Sequence, residues 1–108
     1  MLLMRAIIRP EKKEEVLSEL SRAGFHAATV VDVVGRGKQK GIKISGIIYD
    51  EIPKSLIMMA IRDEDKEDMI RIILKYAKTG EQGAYGDGKI FVSPIEEAYT
   101  ISSGIPTL

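Results

Sequence analysis

A chain of 108 residues is long enough for one two-layer core and too short for two. Its 16 basic and 16 acidic side chains cancel, so no overall field draws it to nucleic acid or into an anionic membrane, and 44% hydrophobic with 30% charged residues is an ordinary globular balance. Cysteine is absent, which excludes a disulfide framework and thiol catalysis and suits a cytoplasmic setting; the apolar start at Met1 to Met4 is too short for a signal peptide, and no stretch approaches a membrane span.

In chain order, Leu2 to Arg9 reads as a strand in which Met4, Ala6 and Ile8 alternate with Arg5, Ile7 and Arg9. Pro10 opens a helix, Glu11 and Glu14 complement its N-terminus, and Val16, Leu17, Leu20 and Ala23 form one apolar stripe ended by Gly24. Ala27 to Val34 is Val-rich and predicts a second strand, followed by a glycine-punctuated basic loop from Gly35 to Gly41. The pattern is weak from Ile42 to Glu51. Pro53 then leads into an apolar run from Leu56 to Ile61, the signature of a strand buried on both faces. Asp63 or Asp65 caps a second helix with the stripe Met69, Ile70, Ile73, Tyr76 and Ala77. Beyond it lies Thr79 to Phe91, with Gly80, Gly83, Gly86 and Gly88, then a strand from Lys89 to Ser93, Pro94, and an irregular tail.

The two halves of the chain resemble each other: Ile8 to Leu17 lies over Ile61 to Ile70 with identity or like character at most positions. Each half is therefore a strand, a helix and a strand. Two such units predict an α+β, ferredoxin-like βαββαβ sandwich, one antiparallel sheet with both helices on one face. The other face of the sheet needs cover, which predicts a homo- or hetero-oligomer.

The glycine-rich stretch predicts a loop whose N–H groups turn inward around an anion, with Lys89 as a positive charge at its mouth. Gly83 to Lys89 fits the letters of a P-loop but not its context, because Ile90 stands where a Ser or Thr would hold magnesium and a strand follows. The residues alone also fit a solvated connection. With one His and no Cys or Asn, catalytic pairs built on those residues are missing, and His26 reads as a surface or packing residue. RNA stacking needs aromatics on adjacent strands, and Phe91 has no such companion. What remains is a binding module with two glycine loops, in which Gly35, Gly37 and Gly41 supply backbone donors and Lys38, Lys40 and Lys89 supply charge; a solvated basic turn is the alternative for the first loop.

Both loops together resemble the PII signal-transduction family. Gly35 to Gly41 is similar to that family's segment after the second strand, Pro53-Lys54 to the opening of its third, and Gly86-Asp87-Gly88-Lys89-Ile90-Phe91 to its nucleotide-loop signature; Arg5 to Pro10 also fits. The short segment between Gly41 and Pro53, the expansion near Gln82 to Ala84, and Ser93 to Thr100 are most similar to the nitrogenase-regulating branch of methanogenic archaea, the first of two paired subunits. The resemblance implies a trimeric or higher assembly, with ATP or ADP in clefts between subunits. It implies that Thr29 and Ala60 meet the adenine, that Ile7 and Gly35 line the cleft, and that Gly37, Lys38, Gly86, Asp87, Gly88 and Lys89 surround ribose and phosphates. Gln39 would hold magnesium, and Gln39, Gly41 and Lys54 would receive 2-oxoglutarate. Implied partners are the paired homologue and dinitrogenase; other targets would be an ammonium transporter or glutamine synthetase, and another class altogether would be a ferredoxin-like enzyme acting on a phosphorylated metabolite.

Three departures from the family's pattern stand out. Thr100 and Ser102 replace two arginines that often reach a neighbour's phosphates, removing bidentate charge-assisted contacts. Ile47 stands where many relatives carry a modified Tyr, leaving Tyr49 and Ser45 as nearby hydroxyls. Tyr85 precedes Gly86 and either walls the ligand or covers the loop. The chain thus reads as a single domain over 1–108, with a target-binding loop at 36–52, a nucleotide loop at 79–89 and a C-terminal segment at 94–108.

Overall fold

The computed structural model describes residues 1–36 and 51–107 of the chain. The basic loop beyond Arg36, with Gly37, Lys38, Gln39 and Gly41, and the hydroxyls of Ser45 and Tyr49 lie outside the described residues. Strand β1 (Leu2–Ile8) leads through a 3-10 turn at Pro10–Lys12 into helix α1 (Lys13–Arg22), and β2 (Thr29–Arg36) returns to the sheet. Strand β3 (Glu51–Ile61), a 3-10 turn at Asp63–Asp65, helix α2 (Lys66–Ala77) and β4 (Gly88–Pro94) repeat the order. The sheet runs β2-β3-β1-β4 with every neighbouring pair antiparallel, which is the ferredoxin-like α+β arrangement.

Several boundaries differ from the sequence reading: β2 begins at Thr29 rather than Ala27, β4 runs one residue further at each end than Lys89 to Ser93, and four further differences have a local reason. Strand β1 stops at Ile8 because Arg9, in extended backbone, turns the chain into the Pro10 turn. Gly35 and Arg36, expected in a loop, continue β2 by pairing with Ile52 and Glu51. Pro53 lies inside β3 rather than before it, paired with Val34; β1 has already ended opposite Ser55, so one side of β3 is an edge there and tolerates a residue without an N–H. Neither Asp63 nor Asp65 caps α2 with its side chain: both belong to the 3-10 turn, where their charge still complements the helix N-terminus.

The core lies between the helices and one face of the sheet. Met4, Ala6 and Ile8 from β1 and Ile57, Met59 and Ile61 from β3 meet Val16 and Leu20 of α1 and Met69, Ile73 and Ala77 of α2. Each large member stabilises the fold by about 1.5–3 kcal/mol through burial. Of the predicted stripes, Leu17, Ile70 and Tyr76 are half-buried and Ala23 is exposed. Ser55 is also buried on this face, and its hydroxyl has no hydrogen-bond partner among the described residues.

The expected burial of β3 on both faces is not met within one chain. Residues 55, 57, 59 and 61 are buried, whereas Leu56 and Met58 are half-buried and Ala60 is exposed. The uncovered face carries cross-strand rows fixed by register: Thr29, Met58, Arg5 and Phe91, then Val31, Leu56, Ile7 and Lys89. Hydrophobic alternation places a strand's apolar residues on a face but cannot count the layers that one chain supplies. After β4 the chain forms a small hairpin, with Tyr99 bridged to Pro106 and the Thr107 N–H donating to the Ala98 carbonyl at 2.8 Å.

Candidate functional site

The glycine-rich loop begins where Lys78 leaves the helix in extended backbone, and ends where Gly88 pairs with Ile8 of β1. Gly88 has φ +114°, and a Cβ there would sit 1.8 Å from the Ile7 carbonyl oxygen. Only glycine lets the loop meet the end of β1 this closely.

The loop does enclose an anion, and the anion is its own Asp87. Oδ1 accepts from the Thr79 hydroxyl at 2.6 Å and from Arg9 Nε at 3.0 Å. Oδ2 accepts from the backbone N–H of Thr79 at 3.0 Å and of Ala84 at 2.8 Å. The Thr79 hydroxyl first, then the Thr79 N–H, with Ala84 and Arg9 adding to them against the opposing effect of burial, hold this carboxyl well below the usual carboxylate range. Backbone donors expected to face a ligand are therefore partly taken by a side chain of the same loop.

Two cations from the sheet grip the loop from outside. Arg9 stands one residue beyond β1 and Lys54 one residue before Ser55, the last position of β3 opposite β1, so they are neighbours where the strands part. Arg9 Nη2 donates to the Tyr85 carbonyl at 2.8 Å, and Lys54 Nζ donates to the Gly86 carbonyl. Gly86 has φ +96°, and a Cβ there would lie 3.2 Å from Arg9 Nη2 and 3.8 Å from Lys54 Nζ. Lys89, one step along β4, is exposed and shares a cross-strand row with Ile7. Among the described residues it makes no hydrogen bond or ion pair, so its ammonium is available to an anion.

Among the described residues, the predicted ones fall into two groups. Ile7, Gly35, Lys54, Gly86, Asp87, Gly88 and Lys89 gather where the ends of β1 and β2 and the starts of β3 and β4 meet; a Cβ on Gly35 would lie 3.4 Å from Lys54 Cγ. Thr29 and Ala60 belong to the opposite end of the same face, with Thr29 paired to Met58. Ala60 is six residues along β3 from Lys54, roughly 20 Å at the usual strand rise. Sequence reasoning assigned no role to Arg9 or Thr79. Thr79 opens the glycine stretch, and Arg9 aligns with Arg62 in the repeat, so the spacing does not set it apart.

The donor set fits a phosphate group: an exposed lysine, glycine backbone at positive φ, and a carboxylate already neutralised. No cluster of three or more His, Cys, Asp or Glu side chains among the described residues could hold a metal by itself. His26 accepts or donates a 2.8 Å hydrogen bond with the Ser21 hydroxyl at the surface, away from the loop. Among the described residues, no helix is long and apolar enough to cross a membrane.

Comparison with known proteins adds the following. Residues 1–104 match the family model described as "Nitrogen regulatory protein P-II". The chain is 52% identical over 101 residues to "Nitrogen fixation nifHD region glnB-like protein 1" of Methanococcus maripaludis, covering 94% of this chain and 93% of the relative. It is 54% identical over the same coverage to the GlnB-like protein 1 of the nifHD region of Methanothermobacter marburgensis. It is 48% identical, over the whole of both chains, to the nifHD1 region GlnB-like protein 1 of Methanosarcina barkeri.

Proposed function

The chain belongs to the nitrogen regulatory protein P-II family, and from that premise we propose that it senses adenine nucleotide and 2-oxoglutarate and controls nitrogenase by binding dinitrogenase. The observation that carries this reading is the hydrogen bond from Lys54 to the Gly86 carbonyl. Lys54 is the residue assigned to the 2-oxo acid and Gly86 the residue assigned to the nucleotide, so anything drawn to one is felt at the other. Coupling of that kind is reciprocal by necessity.

Gly86, Gly88 and Lys89 hold the phosphates, with Lys89 as the point charge and the glycines allowing close approach of the backbone. Asp87 keeps the loop closed on itself rather than facing the ligand. Gln39 would hold magnesium, whose charge would let triphosphate and 2-oxo acid share one site. The roughly 20 Å along β3 between Lys54 and Ala60 supports a cleft completed by a neighbouring subunit, since the residues assigned to the base lie at the far end of the sheet face from those assigned to the phosphates. The uncovered face with Leu56, Met58 and Ile7 supports the same assembly. The similar proteins are named for nitrogen-fixation regions and numbered as first members, which supports nitrogenase as target and a second, paired homologue as partner. Binding and loop repositioning are sufficient for such regulation, and no turnover is required.

Calorimetric titration with magnesium and ATP, with and without saturating 2-oxoglutarate, tests the sensor. Mutual tightening is the expected result; nucleotide affinity indifferent to 2-oxoglutarate would remove the coupled site. Recovery of dinitrogenase on the tagged protein, released by the two ligands together, is expected in a nitrogen-fixing extract. Recovery of an ammonium transporter or glutamine synthetase instead would transfer the reading to that target.

A further inference from the structure

Arg9 is three-quarters covered, its side chain 27% exposed, and its guanidinium is spread over two acceptors of one loop: Nε on the Asp87 carboxylate and Nη2 on the Tyr85 carbonyl. Between those acceptors runs Gly86, whose Cα lies so close to the guanidinium that even a methyl group would stand 3.2 Å from Nη2. The contact thus uses the planar fork of arginine, which a lysine cannot reproduce. It also reaches 78 positions along the chain, joining the end of β1 to the residue before β4.

We infer that Arg9 is a positioning residue for the nucleotide loop: through Asp87 and Tyr85 it sets the shape that aims Gly86, Gly88 and Lys89 at phosphate, without touching the ligand itself. The inference rests on the nucleotide reading above and assigns that site a residue just beyond β1, far from the loop in sequence. Two physical effects combine. Arg9 restrains both sides of Gly86, a residue that would otherwise lose more conformational freedom on ordering than any other. It also compensates the one carboxylate beside Lys89, which would repel a phosphate if left unpaired. A direct role for Arg9 at the phosphates is opposed by the same geometry, because the guanidinium would have to leave Asp87 and expose that charge to the ligand.

The test is calorimetry of magnesium-ATP binding to the full chain and to Arg9→Ala, Arg9→Lys, Asp87→Asn and the Arg9→Ala/Asp87→Asn double variant, with amide hydrogen exchange on each. Arg9→Ala and Asp87→Asn should each weaken ATP by about tenfold, the scale of one charged hydrogen bond. The double variant should be no weaker than either, because both remove one clamp. Arg9→Lys should recover part of the affinity. Exchange should rise at residues 80–89 in both single variants while the amides of β1 and β3 stay protected. Asp87→Asn binding as tightly as the unsubstituted chain while Arg9→Ala loses affinity would make Arg9 a direct phosphate ligand and overturn the inference, as would fully additive losses. Should the unsubstituted chain bind no ATP, the nucleotide reading falls by itself; exchange in Arg9→Ala then decides the clamp, and unchanged exchange at 80–89 would overturn it.

Discussion

Arg9 and Arg62 occupy the same place in the two βαβ units and do different things. Each is extended, at φ −63°, ψ 137° and φ −73°, ψ 151°, and each precedes a three-residue 3-10 turn and a helix. The buried sets around them also match, Met4, Ala6, Ile8, Val16 and Leu20 against Ile57, Met59, Ile61, Met69 and Ile73. Arg9 nevertheless holds Asp87 and Tyr85, whereas Arg62 is 77% exposed and lies 3.9 Å from Glu64. The cause is the unequal path back to the sheet. After α1 the chain returns through Ala23 to Ala28; after α2 it runs from Lys78 to Asp87, and that longer return comes to rest against the end of β1. The repeated part makes the fold, and the part that breaks the repeat makes the candidate site.

The largest expected effect probes the equivalence itself. Leu20→Ala and Ile73→Ala empty matching positions of the core, and each should cost about 3 kcal/mol in denaturant unfolding. A difference between them of more than about 2 kcal/mol, the spread such truncations show at comparable sites, would mean the halves do not share one core equally. Next comes the contrast between the arginines. Arg9→Ala should cost about 1.5 kcal/mol through lost charged hydrogen bonds, and Arg62→Ala no more than about 0.5 kcal/mol as an exposed pair. Equal losses would erase the asymmetry.

Acid unfolding sharpens the same point. The Asp87 carboxyl is depressed in the folded chain, so its contribution is complete above its ordinary value of 3.8 and is lost as pH falls through the lower folded value. Asp87→Asn should be less stable than the unsubstituted chain at neutral pH and should show a smaller further loss as pH drops below about 4. Parallel pH profiles would show that Asp87 carries no folded-state advantage. The smallest effect is expected at Ser55, the counterpart of Leu2 in the other unit. Removing its buried hydroxyl in Ser55→Ala should change stability by less than about 0.5 kcal/mol, or raise it slightly, because no hydrogen bond among the described residues is lost. A loss above about 1 kcal/mol would reveal a partner for that hydroxyl.

Much of the fold is legible in the order and spacing of the residues. The stripes at Val16 and Leu20 and at Met69, Ile73 and Ala77 follow helical spacing, and the likeness of Ile8–Leu17 to Ile61–Ile70 supplies the duplication. The site is legible only in outline. The glycines and Lys89 mark the loop, but the inward N–H groups of Thr79 and Ala84 are given to Asp87. A carboxylate set between glycines, as Asp87 is between Gly86 and Gly88, competes for the same donors as a ligand, and spacing cannot say which is bound. Pro53 misleads the start of β3, because proline is excluded from a paired strand and allowed at its edge, and only the end of β1 makes that edge.

By itself, then, the sequence determined the order of elements, the faces of the two helices and the place of the glycine loop, all consequences of periods and propensities acting over a few residues. It also determined the family, through motifs spread over nearly the whole chain. Tertiary structure alone decided that Arg9 and not Arg62 holds the loop, that Lys54 meets Gly86, and that the predicted residues among those described divide between two ends of the sheet. Those outcomes depend on where distant segments come to rest against each other. A hydrogen bond formed across 78 positions leaves no periodic trace in the residues that make it.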